Sequence, residues 1–246
     1  MTRRKSEVDE VFALQAAGLA TAEIARRTRI PRSTIRYWLD QGPAFATRAK
    51  VPCEPCRHIG EVPAGPYAYL LGLYLGDGCL ADDPRGVYRL RITLDKKYPN
   101  IIAECRLAAA LVLPNKVGQV NRPTWVEVYS YSQHWACLFP QHGRGPKHKR
   151  PIVLRHWQQD IAVARYPYLL LRGLVQSDGW RGTNRIAGRY EYPRYLFSNR
   201  SADIRELFKT ACRRMGIQCR QSGEWQVSVS RRPDVARMDL IVGEKR

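Results

Sequence analysis

Two aspartates end two apolar segments of this chain: Asp77 closes "YLLGLYLGDG" and Asp178 closes "YLLLRGLVQSDG". A carboxylate at the end of a helix is disfavoured by the helix dipole, and two carboxylates brought together repel each other. A divalent cation offsets both effects, and paired acids that hold Mg²⁺ against a phosphate suit phosphodiester hydrolysis. The alternative is one acid that caps its helix locally and one that is solvated. Gly78 and Gly179 follow the acids and are expected to adopt the left-handed helix cap.

Small residues in the same two segments predict that both are helices and that they pack together. Gly72 and Gly76 lie four residues apart, on one helix face, and the second segment has Gly173 and Ser177 in these places. Small residues at this spacing let two helix backbones approach closely. We therefore expect the two aspartates to meet at one end of the helix pair.

The charge of the chain indicates its partner. The chain has 246 residues and a formal net charge of +19. Such a positive field favours a polyanion, so we expect double-stranded DNA; an anionic membrane surface and simple solubility are the alternatives. The apolar runs are too short to span a bilayer, and we expect no membrane association. The first residues, "MTRRKSEVDE", contain no apolar signal segment, so a cytoplasmic, nucleoid-associated protein is expected.

Residues 6–41 are predicted to form three short helices within a domain of residues 1–42. The segment "LATAEIARRTRIPRSTIRYWL" is typical of a helix-turn-helix, with its turn at Ile30 and Pro31. Five residues of the third helix can reach base edges and phosphates in a major groove: Arg32, Ser33, Thr34, Arg36 and Tyr37. A three-helix bundle that contacts another protein is the alternative.

Residues 43–65 contain several prolines and glycines and are predicted to be a linker. Within them, Cys53 and Cys56 form a CxxC pair, which is half of a possible Zn²⁺ site. The candidates for the missing ligands are His58, Cys137 and His142. Two incidental thiols are the alternative. The odd number of cysteines, seven, argues against a disulfide framework.

From residue 66 onward the chain repeats one series of elements: an acid-ended helix, a strand, a second helix, a hairpin and a third helix. The first copy covers residues 66–145 and the second covers residues 164–240. Such a repeat predicts an α+β fold with pseudo-twofold symmetry inside one chain. We therefore expect a monomer.

The segments "LLGLYLGDG" and "LRGLVQSDG" resemble the two signature helices of the LAGLIDADG homing endonucleases. The residues that match the signature are Leu70, Gly72, Leu73, Asp77 and Gly78, then Leu171, Gly173, Leu174, Asp178 and Gly179. Downstream, "FSNRSADIRELFKTACRRMGI" is similar to the strand and helix of that family's second repeat. The resemblance implies two tandem αββαββα repeats in a domain of residues 66–246, behind the small all-α helix-turn-helix domain.

The resemblance also implies a site and a mechanism. Two saddle-shaped sheets would bind a long DNA site, and Asp77 and Asp178 would hold Mg²⁺ or Mn²⁺ and cut both strands. The backbone carbonyls of Gly76 and Ser177 would be further metal ligands. The DNA-contacting residues would include Arg89, Arg91, Lys147, Arg194 and Arg231.

A basic residue near the metals is also expected in this family, because it polarises the scissile phosphate. The segment "GRGPKHKRPIVL" offers Lys147 or Lys149, and Lys149 is preferred. In the second half, Arg231 or Arg232 is the nearest candidate. An ordinary basic loop that contacts phosphates is the alternative.

Two functions fit these features. The first is a site-specific DNA endonuclease, and the second is a transcription regulator that joins the same scaffold to a helix-turn-helix without cleavage. The two acids favour the nuclease, since a binding scaffold has no need of two clashing carboxylates. The chain begins Met1-Thr2 and ends "GEKR", without a terminal His-Asn, so it is expected to be free-standing rather than embedded in an intein.

Overall fold

Three N-terminal helices pack around a small core of their own. A computed structural model of the chain describes residues 5–42, 56–83, 86–186 and 190–243. The helices are α1 (Lys5–Ala16), α2 (Thr21–Thr28) and α3 (Arg32–Gln41). Their shared core consists of Val11, Ile24, Ile30 and Ile35. The chain leaves α2 through Arg29, whose φ of 54° is left-handed, and Pro31 then precedes α3.

The residues assigned to DNA reading lie on α3. Four of them are exposed and one, Thr34, is half-buried; the exposed ones are Arg32, Ser33, Arg36 and Tyr37. On the other side of the helix Ile35 is fully buried, which leaves a polar outer face. The DNA-reading role of this face stays a prediction.

The segment predicted to be a linker is partly helical. Residues 43–55, including Cys53, lie outside the described residues. A short helix, α4 (Arg57–Glu61), follows, and α5 (Ala64–Asp77) begins before residue 66. Residues 57–61 of the predicted linker are thus helical, and the assignment of residues 43–65 as a linker stays a prediction. The reason is local, since Ile59 donates a backbone hydrogen bond to the carbonyl of Cys56 and starts a turn.

The rest of the described chain contains one series of elements twice. After α5 come β1 (Gly78–Asp82), β2 (Tyr88–Asp95), α6 (Pro99–Val112), β3 (Val117–Asn121), β4 (Trp125–Ser132) and α7 (Trp135–Leu138). A 3₁₀ turn (Lys147–Lys149) and α8 (His156–Gln158), which continues as a π-helix (Gln159–Arg165), join the halves. The second series is α9 (Pro167–Asp178), β5 (Gly179–Ile186), β6 (Tyr190–Ser198), α10 (Ala202–Arg214), β7 (Arg220–Gly223), β8 (Gln226–Val229) and α11 (Arg232–Val242).

The strands form two antiparallel sheets of four strands each. Their strand orders are β1-β2-β4-β3 and β5-β6-β8-β7, so the second sheet repeats the first. Each half therefore has the element order αββαββα, and the predicted mixed fold of tandem repeats is confirmed. Among the described residues, no helix has both the length and the apolar character that crossing a bilayer requires.

Each sheet buries one face and leaves the other open. In β2 the buried residues are Leu90, Ile92 and Leu94, and the residues between them point the other way. In β6 the buried residues are Tyr195 and Phe197. The buried faces join α5 and α9 in one large apolar core. The open faces therefore carry the polar residues of the strands.

Candidate active site at the ends of two packed helices

Helices α5 and α9 touch at two glycines. A Cβ on Gly72 would lie 2.6 Å from the carbonyl oxygen of Leu170 and 2.8 Å from the nitrogen of Leu174. A Cβ on Gly173 would lie 2.9 Å from the nitrogen of Leu73 and closer still to the carbonyl oxygen of Tyr69. Backbone atoms cannot move aside as a side chain can, so only glycine fits at both positions. This contact sets the separation of the two helices.

The glycines after the acids do not form left-handed caps. The φ angles of Gly78 and Gly179 are −93° and −97°, which is extended backbone, so the expectation of left-handed caps is wrong. The physical reason is that each helix runs straight into a strand. A Cβ on Gly78 would lie 2.5 Å from the Cα of Tyr74, and one on Gly179 would lie 2.5 Å from the carbonyl oxygen of Val175. Glycine is required at these two positions because no side chain fits there, and not because the backbone has a positive φ.

The two aspartates end the paired helices. Asp77 is the last residue of α5, and Asp178 is the last residue of α9. Asp178 is half-buried, and its Oδ2 accepts a hydrogen bond of 2.6 Å from Asn199 Nδ2. The same oxygen lies 3.0 Å from where a Cβ on Gly76 would stand, next to Asp77. The helix contact therefore brings both acids to one end of the pair.

Lys147 lies beside the acids and caps the end of α5. Its Nζ donates hydrogen bonds to the carbonyl oxygens of Tyr74, Leu75 and Gly76, at 2.6, 2.9 and 2.8 Å. Burial lowers the pKa of Lys147 to about 8, although the carboxylates of Asp178 and Asp77 act in the opposite direction. An ammonium has three N–H donors, and all three are used here. Lys147 is therefore a fixed positive charge at the helix end, where the dipole favours it.

Lys147 takes the place for which the sequence favoured Lys149. The two lysines belong to the same 3₁₀ turn, but Lys149 is exposed, whereas Lys147 lines a cleft with Asp178 and Asn199. The turn directs Lys147 towards the end of α5 and Lys149 towards solvent. The carbonyl of Gly76, expected to bind metal, is also shared with Lys147. A carbonyl oxygen has a second lone pair, with which it can bind a metal as well.

On the nuclease hypothesis drawn from the sequence, exchanging Lys147 for methionine is expected to lower the rate of DNA cleavage by about a hundredfold, because a fixed charge beside the scissile phosphate would be lost. DNA affinity should change by less than about tenfold, since one contact among many is removed. Single-turnover cleavage and fluorescence anisotropy measure the two effects. Lys149→Met is the matched control and should cleave nearly as the wild type does. A larger loss in Lys149→Met than in Lys147→Met would reverse the assignment.

On the open face of the first sheet, two arginines share one buried acid. Arg89 donates to Glu127 Oε1 at 2.5 Å, and Arg91 donates to Oε2 from its Nε at 2.8 Å. Glu127 is 4% exposed, while both arginines are partly exposed. Arg89 also lies over the ring of Tyr129, 4.5 Å from its centroid. The two arginines are thus held in place on the face expected to contact DNA, and the contact itself stays a prediction.

Glu127→Gln is expected to lower the free energy of unfolding by roughly 1–3 kcal/mol, because it leaves two positioned guanidinium groups facing a neutral amide. The effect is measured by urea denaturation. Glu191→Gln is the matched control, since Glu191 pairs with Arg185 in a bridge whose partners are 59% and 73% exposed. That change should cost under about 1 kcal/mol. Equal costs for the two variants would contradict a special role for Glu127.

The second sheet presents a different set of residues near Asp178. Arg194 lines an open cleft with Asp178 and Trp180, and its buried Nε has no hydrogen-bond partner among the described residues. Trp180 is exposed and lies across Gly182, where no Cβ would fit. Arg231 lies at the start of α11, with its Nε 3.9 Å from Asp234. Of these two predicted DNA-contacting residues, Arg194 therefore lines a cleft with Asp178, and Arg231 does not.

Two residues near the candidate sites were not predicted from the sequence. Asn199 holds Asp178 and follows β6 directly; its position at the end of the strand-like "RYLFSN" is the signal that could have marked it. His134 lies beside Cys56 and Cys137. Its spacing of three residues from Cys137 in "HWAC" is the signal that could have marked it, whereas no spacing links it to Cys56. His142, one of the predicted zinc ligands, instead packs its ring against Tyr88, with centroids 5.2 Å apart.

The acids fit a hard divalent metal. Their donor atoms are carboxylate oxygens, and the carbonyls in the last turn of each helix lack helical partners; Mg²⁺ and Mn²⁺ prefer oxygen ligands of this kind. The residues that would hold the metal are Asp77 and Asp178, with the carbonyls of Gly76 and Ser177.

Comparison with known proteins gives one relative and several structures. No family model matches the chain. An uncharacterized protein of Methanocaldococcus jannaschii is 24% identical over 168 residues, which are 67% of this chain and 55% of that protein. The chain thus spans about half the length of that relative.

The similar solved structures include LAGLIDADG endonucleases. The structure of I-DmoI in complex with DNA and Mn is 17% identical, covers 74% of this chain and 98% of its own, and has a TM-score of 0.48. That of the LAGLIDADG meganuclease I-AabMI bound to uncleaved DNA is 11% identical, covers 72% and 82%, and has a TM-score of 0.45.

Proposed function

We propose that this protein is a site-specific endonuclease that cuts double-stranded DNA with a divalent metal. The observation that carries the proposal is the position of Asp77 and Asp178 at one end of two helices that touch at Gly72 and Gly173. Two acids at helix C-termini are disfavoured by both dipoles and by each other. An arrangement that costs stability and exposes carboxylates beside a lysine supports a catalytic use.

The residues around the acids suit phosphodiester hydrolysis. A bound Mg²⁺ or Mn²⁺ would supply an activated water and stabilise the charge that develops on the leaving oxygen. Asn199 orients the Asp178 carboxylate through its 2.6 Å hydrogen bond. Lys147 adds positive charge where a phosphate would approach the two acids. Both carboxylates come from one chain, so we propose that a monomer cuts both strands.

The DNA would lie along the open faces of the two sheets. The net charge of +19 favours a polyanion, and these faces carry Arg89, Arg91 and Arg194. Trp180 and Tyr129 on the same faces offer aromatic contacts. We further propose that α3, with its polar outer face, reads additional bases and adds specificity. Phosphate contacts set position, while side chains at base edges set sequence.

A transcription regulator without cleavage is the second candidate. The observation in its favour is the N-terminal helix trio, which has its own core and an exposed polar face on α3. Both candidates bind DNA, so binding does not separate them. Only the nuclease needs the metal and the acids.

The test begins with DNA that the protein demonstrably binds. Selection from random duplexes identifies bound sequences, which are then incubated with the protein and Mg²⁺ or Mn²⁺, and in parallel with EDTA. The nuclease predicts metal-dependent cuts in both strands at one position of the bound sequence. Tight, specific binding with intact DNA in both metals would support the regulator and sink the nuclease.

A further inference from the structure

Three potential metal ligands from two distant segments meet at the edge of the first repeat. They are Cys56, which directly precedes α4, His134, which directly precedes α7, and Cys137, which lies within α7. One ligand atom from each residue lies within 4.8 Å of the others. Seventy-eight positions separate Cys56 from His134, so the fold and not the local sequence brings them together.

The distance between the first two ligands fits zinc. Cys56 Sγ lies 3.6 Å from His134 Nδ1. Zinc binds sulfur at about 2.3 Å and nitrogen at about 2.0–2.1 Å with tetrahedral angles, so a sulfur and a nitrogen on one zinc stand about 3.6 Å apart. The metal would therefore replace the shared proton of this pair with little movement of either side chain.

The histidine ring is oriented for ligation through Nδ1. Its other nitrogen, Nε2, lies 3.4 Å from the side-chain nitrogen of Gln133. Rotation of that amide by half a turn exchanges its nitrogen and oxygen, and the oxygen would then accept the Nε2–H and leave the Nδ1 lone pair facing Cys56. Hydrogen bonds of this kind commonly hold a zinc-binding histidine in place. The backbone nitrogen of His134 also donates to Ser132 Oγ at 3.1 Å, which fixes the start of α7.

The surroundings indicate a structural metal rather than a catalytic one. Cys56 is 5% exposed, and α4 and α7 are helices of five and four residues that pack on each other. Helices of this length are not stable by themselves. We propose that Cys56, His134 and Cys137 supply three of the four ligands of one Zn²⁺ that fastens the segment before α5 to the end of the first sheet. The site is separate from the acids and takes soft ligands, whereas the acids take a hard cation.

The proposal revises the zinc site predicted from the sequence. The CxxC pair pointed to Cys53 and Cys56, and Cys53 lies outside the described residues. Cys137 was among the candidates, and His134 is new. Cys53 is kept in every variant below, so that the experiment tests the three described ligands.

The first experiment measures zinc in the purified full-length protein, prepared under reducing conditions without a histidine tag or chelator. The wild type is expected to hold about one zinc per chain. Cys56→Ser, Cys137→Ser and His134→Gln should lose most of it. Two controls should keep it: Cys79→Ser, which changes an exposed cysteine, and the Asp77→Asn/Asp178→Asn double variant. Zinc-free wild type, or ligand variants as rich in zinc as Cys79→Ser, would overturn the proposal.

The second experiment does not depend on variants that fold. Zinc is removed from the wild type and replaced by Co²⁺, which shows intense visible bands in a tetrahedral site and a charge-transfer band with thiolates. Both features are expected, and added Zn²⁺ should displace the Co²⁺ and abolish them. Their absence would contradict the proposal. Neither readout involves DNA cleavage, so the two proposals can fail separately. A protein that shows these spectra but does not cleave DNA would refute only the nuclease. A protein that cleaves DNA without these spectra would refute only the zinc site.

Discussion

Exchanging Asp77 or Asp178 for asparagine is expected to lower the rate of double-strand cleavage by roughly a thousandfold or more. In the proposed site each carboxylate would supply charge that holds the metal, and metal catalysis contributes several kcal/mol, at about 1.4 kcal/mol for each factor of ten. DNA affinity should stay within a small factor, because the amide keeps the shape and the sheet faces are unchanged. Single-turnover cleavage and anisotropy on the same duplex give both numbers.

Stability should change little in these two variants. Loss of either charge relieves an unfavourable helix-dipole interaction of about 0.3–1 kcal/mol, but it also weakens the attraction to Lys147, and in Asp178→Asn it weakens the hydrogen bond from Asn199. Because these effects oppose each other, the free energy of unfolding measured by urea denaturation is expected to change by less than about 1 kcal/mol. A loss of several kcal/mol would point to a structural role for the acid instead.

Asp160→Asn is the matched control for the acids. Asp160 is 60% exposed and has Arg165 at 3.7 Å, in an element away from the helix ends. Its exchange removes the same charge from the chain without touching the site. Cleavage that survives in Asp178→Asn, or that disappears equally in Asp160→Asn, would be incompatible with the proposed metal site.

Gly173→Ala is expected to lower the free energy of unfolding by about 3 kcal/mol or more, or to prevent folding. The new methyl group would meet the Cα of Gly72 and the nitrogen of Leu73, each 2.9 Å away, and the carbonyl oxygen of Tyr69. Overpacking in a core costs about 1–3 kcal/mol when side chains can adjust, and backbone atoms adjust less. Urea denaturation measures the cost.

The control for this prediction is Gly60→Ala in α4. A Cβ on Gly60 would meet nothing within 4 Å, so alanine should be neutral or stabilise by up to about 1 kcal/mol. If Gly173→Ala cost no more than Gly60→Ala, the helices would not depend on glycine contact. Since α5 and α9 carry the acids, a variant that folds with the helices pushed apart should also cleave more slowly.

Most of the elements around the site could be predicted, and two strands could not. Apolar periodicity marked α5, α9, β2 and α10 in the sequence. Strands β1 and β5 carry no such pattern; β5 reads "GWRGTNRI". It is a strand because its residues pair with β6 from Gly179 opposite Phe197 to Ile186 opposite Tyr190. Backbone pairing over this length does not require apolar side chains.

The side chains around the acids show a similar division. Glycine spacing was enough to place Asp77 and Asp178 together, because a contact between helices follows from residue size and period. It was not enough to choose between Lys147 and Lys149, since that choice depends on the direction of one 3₁₀ turn. Nor did it reveal that Glu127 pairs with both Arg89 and Arg91, which requires the register of β2 against β4.

The type and spacing of residues were therefore sufficient to predict the two acid-ended helices, the repeat, the positive charge and the three N-terminal helices. These are local or compositional properties, and each appears in the order of residues along the chain. Contacts between distant segments required the folded structure. His134 reaches Cys56, Asn199 reaches Asp178, and Lys147 reaches the carbonyls of α5 only because the sheets and helices bring them together. Long-range contacts depend on packing, and no spacing in the sequence encodes them.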